Sequence, residues 1–435
     1  MPETRLFAVT GRPVFHSLSP EIFDFLFASL GMDAIYLRLA ARSGREALDT
    51  ARRMNIAGMN ITAPFKEEVS GLLEAADPLA RLLGAVNVAV RRDGVFEGFN
   101  TDAEGACRAL QAHGIPIKGR RAVVLGAGGA ARAAALGLVR GGASRVVIIN
   151  RTPERAAAAA KIAGCECAPI EKTDEAFAES DLVVSCIPAG HPVKSLGRLA
   201  KGAVVMDADY RNQAFFSAAR GLGIQAVDGL AWLSGQAAPS FRIMTGREIP
   251  AGREEEIERR ASRPSPPAKR NIALAGFSGA GKTTVGRLLA ERLGRGFVDT
   301  DSMIEESQST PVSEVFRRRG EPFFRTEEKR LIKSLLPAAK ETVFSLGGGA
   351  ILDPESLAVV KSRCHVVWLW VSPSAAVTRT RGGGRPLLQG EHPERLAEKI
   401  LESRTSSYAR ASDLVVDSES GGPEEISERI ADEVG

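Results

Sequence analysis

A glycine-rich stretch well past the midpoint constrains this chain more than any other. Residues 271–284 read N-I-A-L-A-G-F-S-G-A-G-K-T-T, a short apolar strand from Ile272 to Ala275, a loop, and the start of a helix. Gly276, Gly281, Lys282 and Thr283 match G-x-x-x-x-G-K-[ST]. Backbone N–H groups of such a loop cradle phosphates, the lysine reaches the outer ones, and the hydroxyl holds Mg²⁺. Just upstream, residues 259–270 read R-R-A-S-R-P-S-P-P-A-K-R, with no apolar period for a helix face or a strand, and are expected to be a linker. One machine is expected to end there and a nucleotide-using one to begin at 271.

A chain of 435 residues has room for about two to four domains. Its 44% hydrophobic and 25% charged residues are ordinary for a globular protein, and a net charge of +4 does not argue for nucleic acid. No run of roughly eighteen apolar residues suggests a membrane span. The start, M-P-E-T-R-L-F-A-V-T-G, enters a strand-like run without a signal peptide. Cys107, Cys165, Cys167, Cys186 and Cys364 are odd in number and scattered, which suits a reducing cytoplasm. Cys165-x-Cys167 lacks the second ligand pair of a zinc site, so incidental thiols are expected.

Residues 1–102 alternate strand-like and helical runs: a strand at Leu6–Thr10, a helix at Glu21–Leu30, then strands at Tyr36–Leu39 and Gly58–Thr62. This pattern predicts an α/β domain, and polar residues gather where the elements end, as ligand-binding residues do in open α/β sheets. Singly, Ser17, Ser19, Asn60, Thr62, Lys66, Asn87 and Asp102 read as turn residues, and Lys66 as a solvated lysine beside Glu67 and Glu68. Together the blocks H-S-x-S-P, N-I-T-x-P-F-K, G-A-V-N and N-T-D resemble, in this order, the substrate domain of shikimate dehydrogenases. The resemblance implies that Ser17, Ser19, Asn60, Thr62, Asn87 and Asp102 surround a cyclohexene acid, and that Lys66 and Asp102 are the catalytic pair. The chemistry fits: hydride delivery to a ketone needs a proton donor at oxygen, which an ammonium oriented by a carboxylate supplies.

Residues 103–230 read as a dinucleotide domain. A strand at Arg121–Leu125 runs into Gly126, Ala127, Gly128, Gly129, Ala130 and Ala131, then a helix, which is G-x-G-x-x-A in strand–turn–helix context. The next strand, Arg145–Ile149, ends in Asn150, Arg151, Thr152 and Arg155 rather than in an acid. Cationic residues there suit a 2′-phosphate, so NADP(H) is the expected cofactor. N-R-T-x-x-R also resembles the family's NADP clamp. By the same resemblance Tyr210 and Gly229 lie near the nicotinamide, and Gln236 and Tyr210 contact substrate. Ser185–Pro188 replaces the family's asparagine-alanine-threonine loop, and Trp232 stands where methionine is common. Residues 231–258 read as helices that complete the first domain, with Pro239 kinking or interrupting one of them.

Beyond the phosphate loop, Val285, Leu288, Leu289 and Leu293 recur at helical spacing. Then come D-T-D at Asp299–Asp301, G-E-P-F-F-R-T-E-E from Gly320, L-G-G-G ending at Gly349, R-P-L-L from Arg385, and Arg404 before Tyr408. These blocks resemble shikimate kinases over the whole C-terminal part. The resemblance implies that Asp301 binds the substrate hydroxyls and assists the attacking one. Arg325 and Arg404 would grip its carboxylate, and Gly347, Gly348 and Gly349 would pack against its ring. Arg379 would lie near adenine and Arg385 on a lid hinged at Gly382–Gly384. Gly279, Ala280, Gly281, Lys282, Thr283 and Thr284 would hold ATP, with Mg²⁺ on Thr283 and Asp299. Phosphoryl transfer is mostly positioning and charge neutralisation, which such a ring of cations provides.

The expected fold is therefore α/β throughout: a shikimate-dehydrogenase-like substrate domain (1–102, completed by 231–258), a Rossmann NADP domain (103–230), a linker (259–270) and a P-loop, nucleoside-monophosphate-kinase-like α/β kinase domain (271–435). The expected function is bifunctional. NADPH reduces 3-dehydroshikimate to shikimate, and ATP with Mg²⁺ then phosphorylates shikimate at its 3-hydroxyl. Its partners are these small molecules, with a homodimer allowed. The rivals are quinate oxidation beside a related small-acid kinase, and one half serving as a non-catalytic regulatory module.

Overall fold

The structure is a computed structural model that describes residues 4–187, 193–211, 213–249, 253–261, 269–381 and 392–435. The strands, in chain order, are β1 (Arg5–Gly11), β2 (Ala34–Ala40), β3 (Gly58–Ile61), β4 (Ala75–Ala76), β5 (Val88–Arg92), β6 (Val95–Phe99), β7 (Arg121–Leu125), β8 (Arg145–Asn150) and β9 (Glu166–Pro169). They continue with β10 (Leu182–Ser185), β11 (Val204–Asp207), β12 (Gln225–Val227), β13 (Asn271–Ala275), β14 (Gly296–Asp299), β15 (Thr342–Ser345), β16 (Cys364–Trp370) and β17 (Leu414–Asp417). Contacts divide the chain into two compact units, one of residues 1–20, 31–56 and 265–435, the other of residues 21–30 and 57–264.

In the first unit, β14, β15, β13, β16, β17, β2 and β1 lie side by side, all parallel. Ile272, Ala273, Leu274, Val366 and Val367 are wholly buried, as expected where helices cover both faces of a parallel sheet. The helix Lys282–Leu293 springs directly from the glycine loop after β13. The long helical stretch Val312–Leu335 is two helices joined at Gly320, whose φ of 78° and ψ of 163° are open to glycine and strained for other residues. Strand β17 pairs β2 through Val415–Leu39 and Val416–Ala40. That pairing groups residues 1–20 and 31–56 with 265–435.

In the second unit, β3, β5 and β6 are antiparallel neighbours, with β4 parallel to β6. A six-stranded sheet of order β12-β11-β10-β7-β8-β9 is parallel throughout. Alternate residues of its strands feed two cores: Ala122, Val124, Val146 and Ile148 pack on one side, and Val123, Leu125, Val147 and Ile149 on the other. The helix Gly229–Thr245 runs through Pro239 without interruption, and a further helix, Glu254–Ala261, enters the start of the expected linker. The helix Gly229–Thr245 crosses the helix Asp102–Ala112 where both carry glycine. A methyl group on Gly105 would meet the Gln236 main-chain nitrogen at 2.9 Å, and one on Gly235 the Gly105 carbonyl at 2.5 Å. This crossing brings Gln236 and Asp102 into one neighbourhood.

Candidate active sites

In the second unit, Lys66 opens the helix Lys66–Leu72 and Asp102 opens the helix Asp102–Ala112. Lys66 Nζ donates to Asp102 Oδ2 at 2.7 Å, and the Asp102 side chain is only 3% exposed. Asn87 Nδ2 faces Asp102 Oδ1 at 2.9 Å, Gln236 Oε1 at 3.0 Å and Thr101 Oγ1 at 2.9 Å. Asn60 Nδ2 donates to the Asn87 carbonyl at 3.2 Å and to Ser240 Oγ at 3.3 Å. Lys66, Asn87, Asp102 and Gln236 thus converge, with Asn60 behind them. Thr62 lies half-buried just past the end of β3. Ser17 and Ser19 lie in the first unit, where their buried hydroxyls are 3.3 Å apart.

The glycine turn after β7 abuts this cluster. A methyl group on Gly129 would meet Ala85 Cβ at 2.9 Å and Lys66 Cβ at 3.8 Å, whereas in front of Gly128 there is nothing within 4 Å. Gly126 has φ of 110°, a turn open to glycine. The helix Gly129–Arg140 therefore starts beside Lys66, and a helix N-terminus suits an anion. Ala127 is buried and Ala130 half-buried beside the turn. At the end of β8, Asn150 Nδ2 donates to the Thr152 carbonyl at 3.1 Å, and Arg151, Thr152 and Arg155 are exposed. Gly229 lies against the Ala208 carbonyl and the Tyr210 nitrogen, each 2.7 Å from where its methyl would be. Burial pushes the Asp207 carboxyl up to about 6 and the neighbouring Cys186 thiol well above its usual range.

In the first unit, the phosphate loop opens a cavity of about 560 Å³ lined by Gly279, Gly281, Thr284, Asp301, Arg379 and Arg404, among others. Ala280 is wholly buried beneath the loop. Lys282 Nζ donates to the Gly276 carbonyl at 2.9 Å and the Phe277 carbonyl at 3.1 Å. Thr283 Oγ1 donates to Asp299 Oδ2 at 2.7 Å. Asp299 Oδ1 caps the helix Thr300–Gln308 through the Asp301 and Ser302 nitrogens at 3.0 and 3.2 Å, so one carboxylate serves both cap and loop. Two of the three glycines are crowded by the ends of site side chains: a methyl on Gly347 would collide with Glu328 Oε1 and fall 2.7 Å from Asp301 Oδ1, and one on Gly349 would displace the Arg325 guanidinium, whereas one on Gly348 would meet nothing closer than 3.6 Å. Gly348 lines the cavity, and its carbonyl accepts from the Tyr408 hydroxyl and, at 3.4 Å, from Arg404 Nη1. Arg385 and the rest of 382–391 lie outside the described residues.

Two residues behind the cavity wall, in contact with Arg325 and Gly348, stand in the sequence blocks without a role. Glu328 closes G-E-x-x-F-R-x-x-E and lies one helical turn after Arg325, whose Nη1 it accepts at 2.8 Å. Burial pushes its carboxyl up to about 7, against the opposing pull of Arg325. Tyr408 is buried, stacked on Trp368 at a ring distance of 5.8 Å. Behind Asn87 the Thr101 and Ser240 hydroxyls lie 3.0 Å apart; Thr101 sits in the N-T-D block without a role assigned to it, and Ser240 belongs to no block.

Three family models match the chain: "Shikimate dehydrogenase substrate binding domain" over residues 9–89, "Shikimate / quinate 5-dehydrogenase" over 108–209 and "Shikimate kinase" over 278–435. The chain is 37% identical over 266 residues to the shikimate dehydrogenase (NADP(+)) of Symbiobacterium thermophilum, covering 57% of this chain and 90% of that protein. It is 41% identical over 262 residues to an enzyme of the same name from Thermus thermophilus, covering 58% of this chain and 97% of that one. Among solved structures, a shikimate 5-dehydrogenase from Thermus thermophilus in complex with NADP(H) and shikimate superposes with a TM-score of 0.53 at 36% identity, over 59% of this chain and 99% of that one.

Proposed function

Because the chain belongs to the shikimate dehydrogenase family and carries a shikimate kinase domain behind it, a bifunctional shikimate-pathway enzyme, we propose that it runs two consecutive steps. The first reduces 3-dehydroshikimate to shikimate, and the second phosphorylates the shikimate 3-hydroxyl. The domain limits proposed with this reading are 1–102 with 231–258, 103–230, and 271–435, joined at 259–270. One observation carries the first step: a lysine ammonium 2.7 Å from a carboxylate that is itself almost wholly buried.

NADPH and ATP, when bound, supply the hydride and the phosphoryl group. In the reduction, Lys66 polarises the substrate carbonyl and gives its oxygen a proton, while Asp102 holds the ammonium in place and accepts from a neighbouring hydroxyl. Asn87 and Gln236 orient the ring beside that pair, and Thr62 and Tyr210 add to its contacts. The helix N-terminus at Gly128 and Gly129, uncrowded at Gly128, fits a pyrophosphate, and the exposed Arg151 and Arg155 fit a 2′-phosphate. In the kinase half, Asp301 accepts from the attacking hydroxyl, Arg325 and Arg404 pair with the substrate carboxylate, and Lys282 and Arg385 balance the charge of the transferring group. Among the described residues no group of three or more His, Cys, Asp or Glu forms a metal cage. The Thr283–Asp299 pair suits Mg²⁺, which keeps several waters and takes its other ligands from phosphates.

No described helix is long and apolar enough to cross a membrane. We place both reactions in the cytoplasm, where the five free thiols stay reduced. The test is purified full-length protein given 3-dehydroshikimate, NADPH and ATP with Mg²⁺, following NADPH loss and ADP formation together. ADP that appears only after NADPH loss begins, and in equal amount, is the expected result. NADPH loss without ADP would leave the kinase half non-catalytic. Preference for quinate over shikimate in the reverse reaction would move the substrate to the other name in the family description.

A further inference from the structure

Phosphate-loop kinases must hold the far end of the nucleotide pocket as firmly as the loop itself. In this chain that end is built on the helix Pro373–Thr380. Its Arg379 and Thr380 line the cavity, and its Ala376 carbonyl lies 2.8 Å from where a methyl on Gly279 would be. The segment after β17 ties down both ends of this helix. Ser418 accepts from Arg379 through its hydroxyl at 3.0 Å and its carbonyl at 2.9 Å. Glu419 Oε1 accepts from the nitrogen of Ser372, the helix N-cap, at 2.6 Å.

That segment is in turn gripped by residues from far upstream in the same unit. Asp417 is wholly buried and accepts from Thr50 Oγ1 at 2.8 Å and from Arg53 Nη2. The Arg53 guanidinium also lies 3.6 Å from Glu419 and 5.3 Å from the centre of the Trp370 ring. Arg42 donates to the Ser420 carbonyl, and Glu46 pairs with buried Arg429, which donates to Ser420 Oγ at 2.8 Å. Arg42 directly precedes the N-cap Ser43 of the helix Gly44–Arg53, and Glu46, Thr50 and Arg53 lie on it. None of the four belongs to the reducing site. A surface helix of a dehydrogenase needs no buried bond to residue 417; here it supplies a wholly buried carboxylate with two of its donors.

We propose that the helix Gly44–Arg53 is a positioning element for the kinase half, holding residues 417–420 so that Arg379 faces the nucleotide. The segment that begins the reducing half thereby sets the nucleotide affinity of the phosphorylating half. The inference rests on the nucleotide reading of the cavity given above.

The test uses the full-length chain with Thr50→Val, Arg53→Ala, Arg53→Lys and Arg379→Ala. Loss of a buried hydrogen bond to a charged group predicts a rise in the ATP KM of about five- to tenfold for Arg53→Ala and about two- to fivefold for Thr50→Val. The phosphorylation kcat, the shikimate KM and all NADPH kinetics should stay within about twofold of wild type, and Arg53→Lys should recover part of the loss. Arg379→Ala should raise the ATP KM at least as much as Arg53→Ala. If Arg379→Ala does so while Arg53→Ala and Thr50→Val leave the ATP KM alone, the positioning role is wrong and the nucleotide reading stands. If Arg379→Ala itself has no effect, the nucleotide reading falls and this inference with it. A general loss in Arg53→Ala, with kcat, both KM values and the unfolding midpoint worsening together, would mean only misfolding of a buried acid. In that event Thr50→Val, which keeps the volume and the charge, decides: an ATP KM unchanged in it overturns the proposal.

Discussion

Replacing Lys66 by methionine separates chemistry from structure in the reducing half. The methionine keeps the length and apolar stem of the side chain and removes only the ammonium 2.7 Å from Asp102. Loss of a positioned proton donor costs about a hundred- to ten-thousandfold in rate. Stranding a buried carboxylate typically costs about 3–5 kcal/mol. Asp102 is better placed than that average. It keeps the bond from Asn87 at 2.9 Å and stands in the first turn of a helix, where a negative charge is favoured by about 0.3–1 kcal/mol. The structural loss is therefore expected at the lower end, about 2–3 kcal/mol, too little to unfold a domain of ordinary stability. The assay is NADPH consumption with 3-dehydroshikimate, with ADP formation from shikimate in the same sample as an internal control for folding. Reduction should fall by at least two orders of magnitude while phosphorylation holds. Adding Asp102→Asn to Lys66→Met should lower the rate little further, since the two residues act as one unit. A Lys66→Met protein that still reduces the ketone within about tenfold of wild type would refute proton donation by this lysine.

Other expectations follow from the same geometry. Arg151→Ser with Arg155→Ala should raise the NADPH KM about ten- to a hundredfold and leave that for NADH nearly unchanged, because only the 2′-phosphate loses its charge-assisted bonds; equal effects on both cofactors would place the phosphate elsewhere. Lys282→Met should abolish ADP formation and spare NADPH consumption, and chelating Mg²⁺ should do the same, with Thr283→Val needing more Mg²⁺ for half-maximal rate. Glu328 predicts a pH dependence of stability. Burial raises its carboxyl from 4.5 to about 7 in the folded chain. Between those values the unfolded chain releases a proton that the folded chain keeps, so stability falls as pH rises through this window, by about 3 kcal/mol in all. Thermal unfolding of wild type and Glu328→Gln at pH 5 and 8 should show the variant gaining relative stability at the higher pH; a gap that does not change with pH would contradict a raised carboxyl.

How far the fold could be read from the chain depended on the range of the forces involved. The two glycine turns were legible because each requirement is local: Gly126 and Gly281 have φ of 110° and 84°, and the residues that follow open helices. The convergence of Lys66, Asn87, Asp102 and Gln236 was legible only through the order of blocks resembling a family, since no periodicity links residues that far apart. The crossing that brings them together depends on Gly105 and Gly235 meeting backbone to backbone, and neither glycine sits in a motif. Pro239 shows a local rule giving way to packing. A proline inside a helix loses one hydrogen bond, yet the helix Gly229–Thr245 continues through it with Pro239, Ser240 and Phe241 all buried. The pairing of β17 with β2 was illegible for the opposite reason to the turns: an apolar strand declares that it will be buried, not which edge will bury it.

The two halves hold an acid out of water in different ways, and the difference bears on what each must do. Asp102 faces a lysine, an amide and a helix N-terminus, so several donors share its charge. In the proposed reaction that arrangement holds one cation beside the acid to meet the ketone oxygen, as proton donation requires. Glu328 accepts from Arg325, whose guanidinium also bonds Glu321 at 2.9 Å. A guanidinium has more donors than two carboxylates can use in one plane, so its fork can receive a third carboxylate by loosening the exposed Glu321 while buried Glu328 keeps it aimed. A lysine in that place could aim one charge but not share three partners with fixed geometry. On the proposed roles, proton donation calls for an ammonium and carboxylate binding for a guanidinium, so exchanging Lys66 for arginine and Arg325 for lysine should damage each half by a different route, the first in kcat and the second in the shikimate KM.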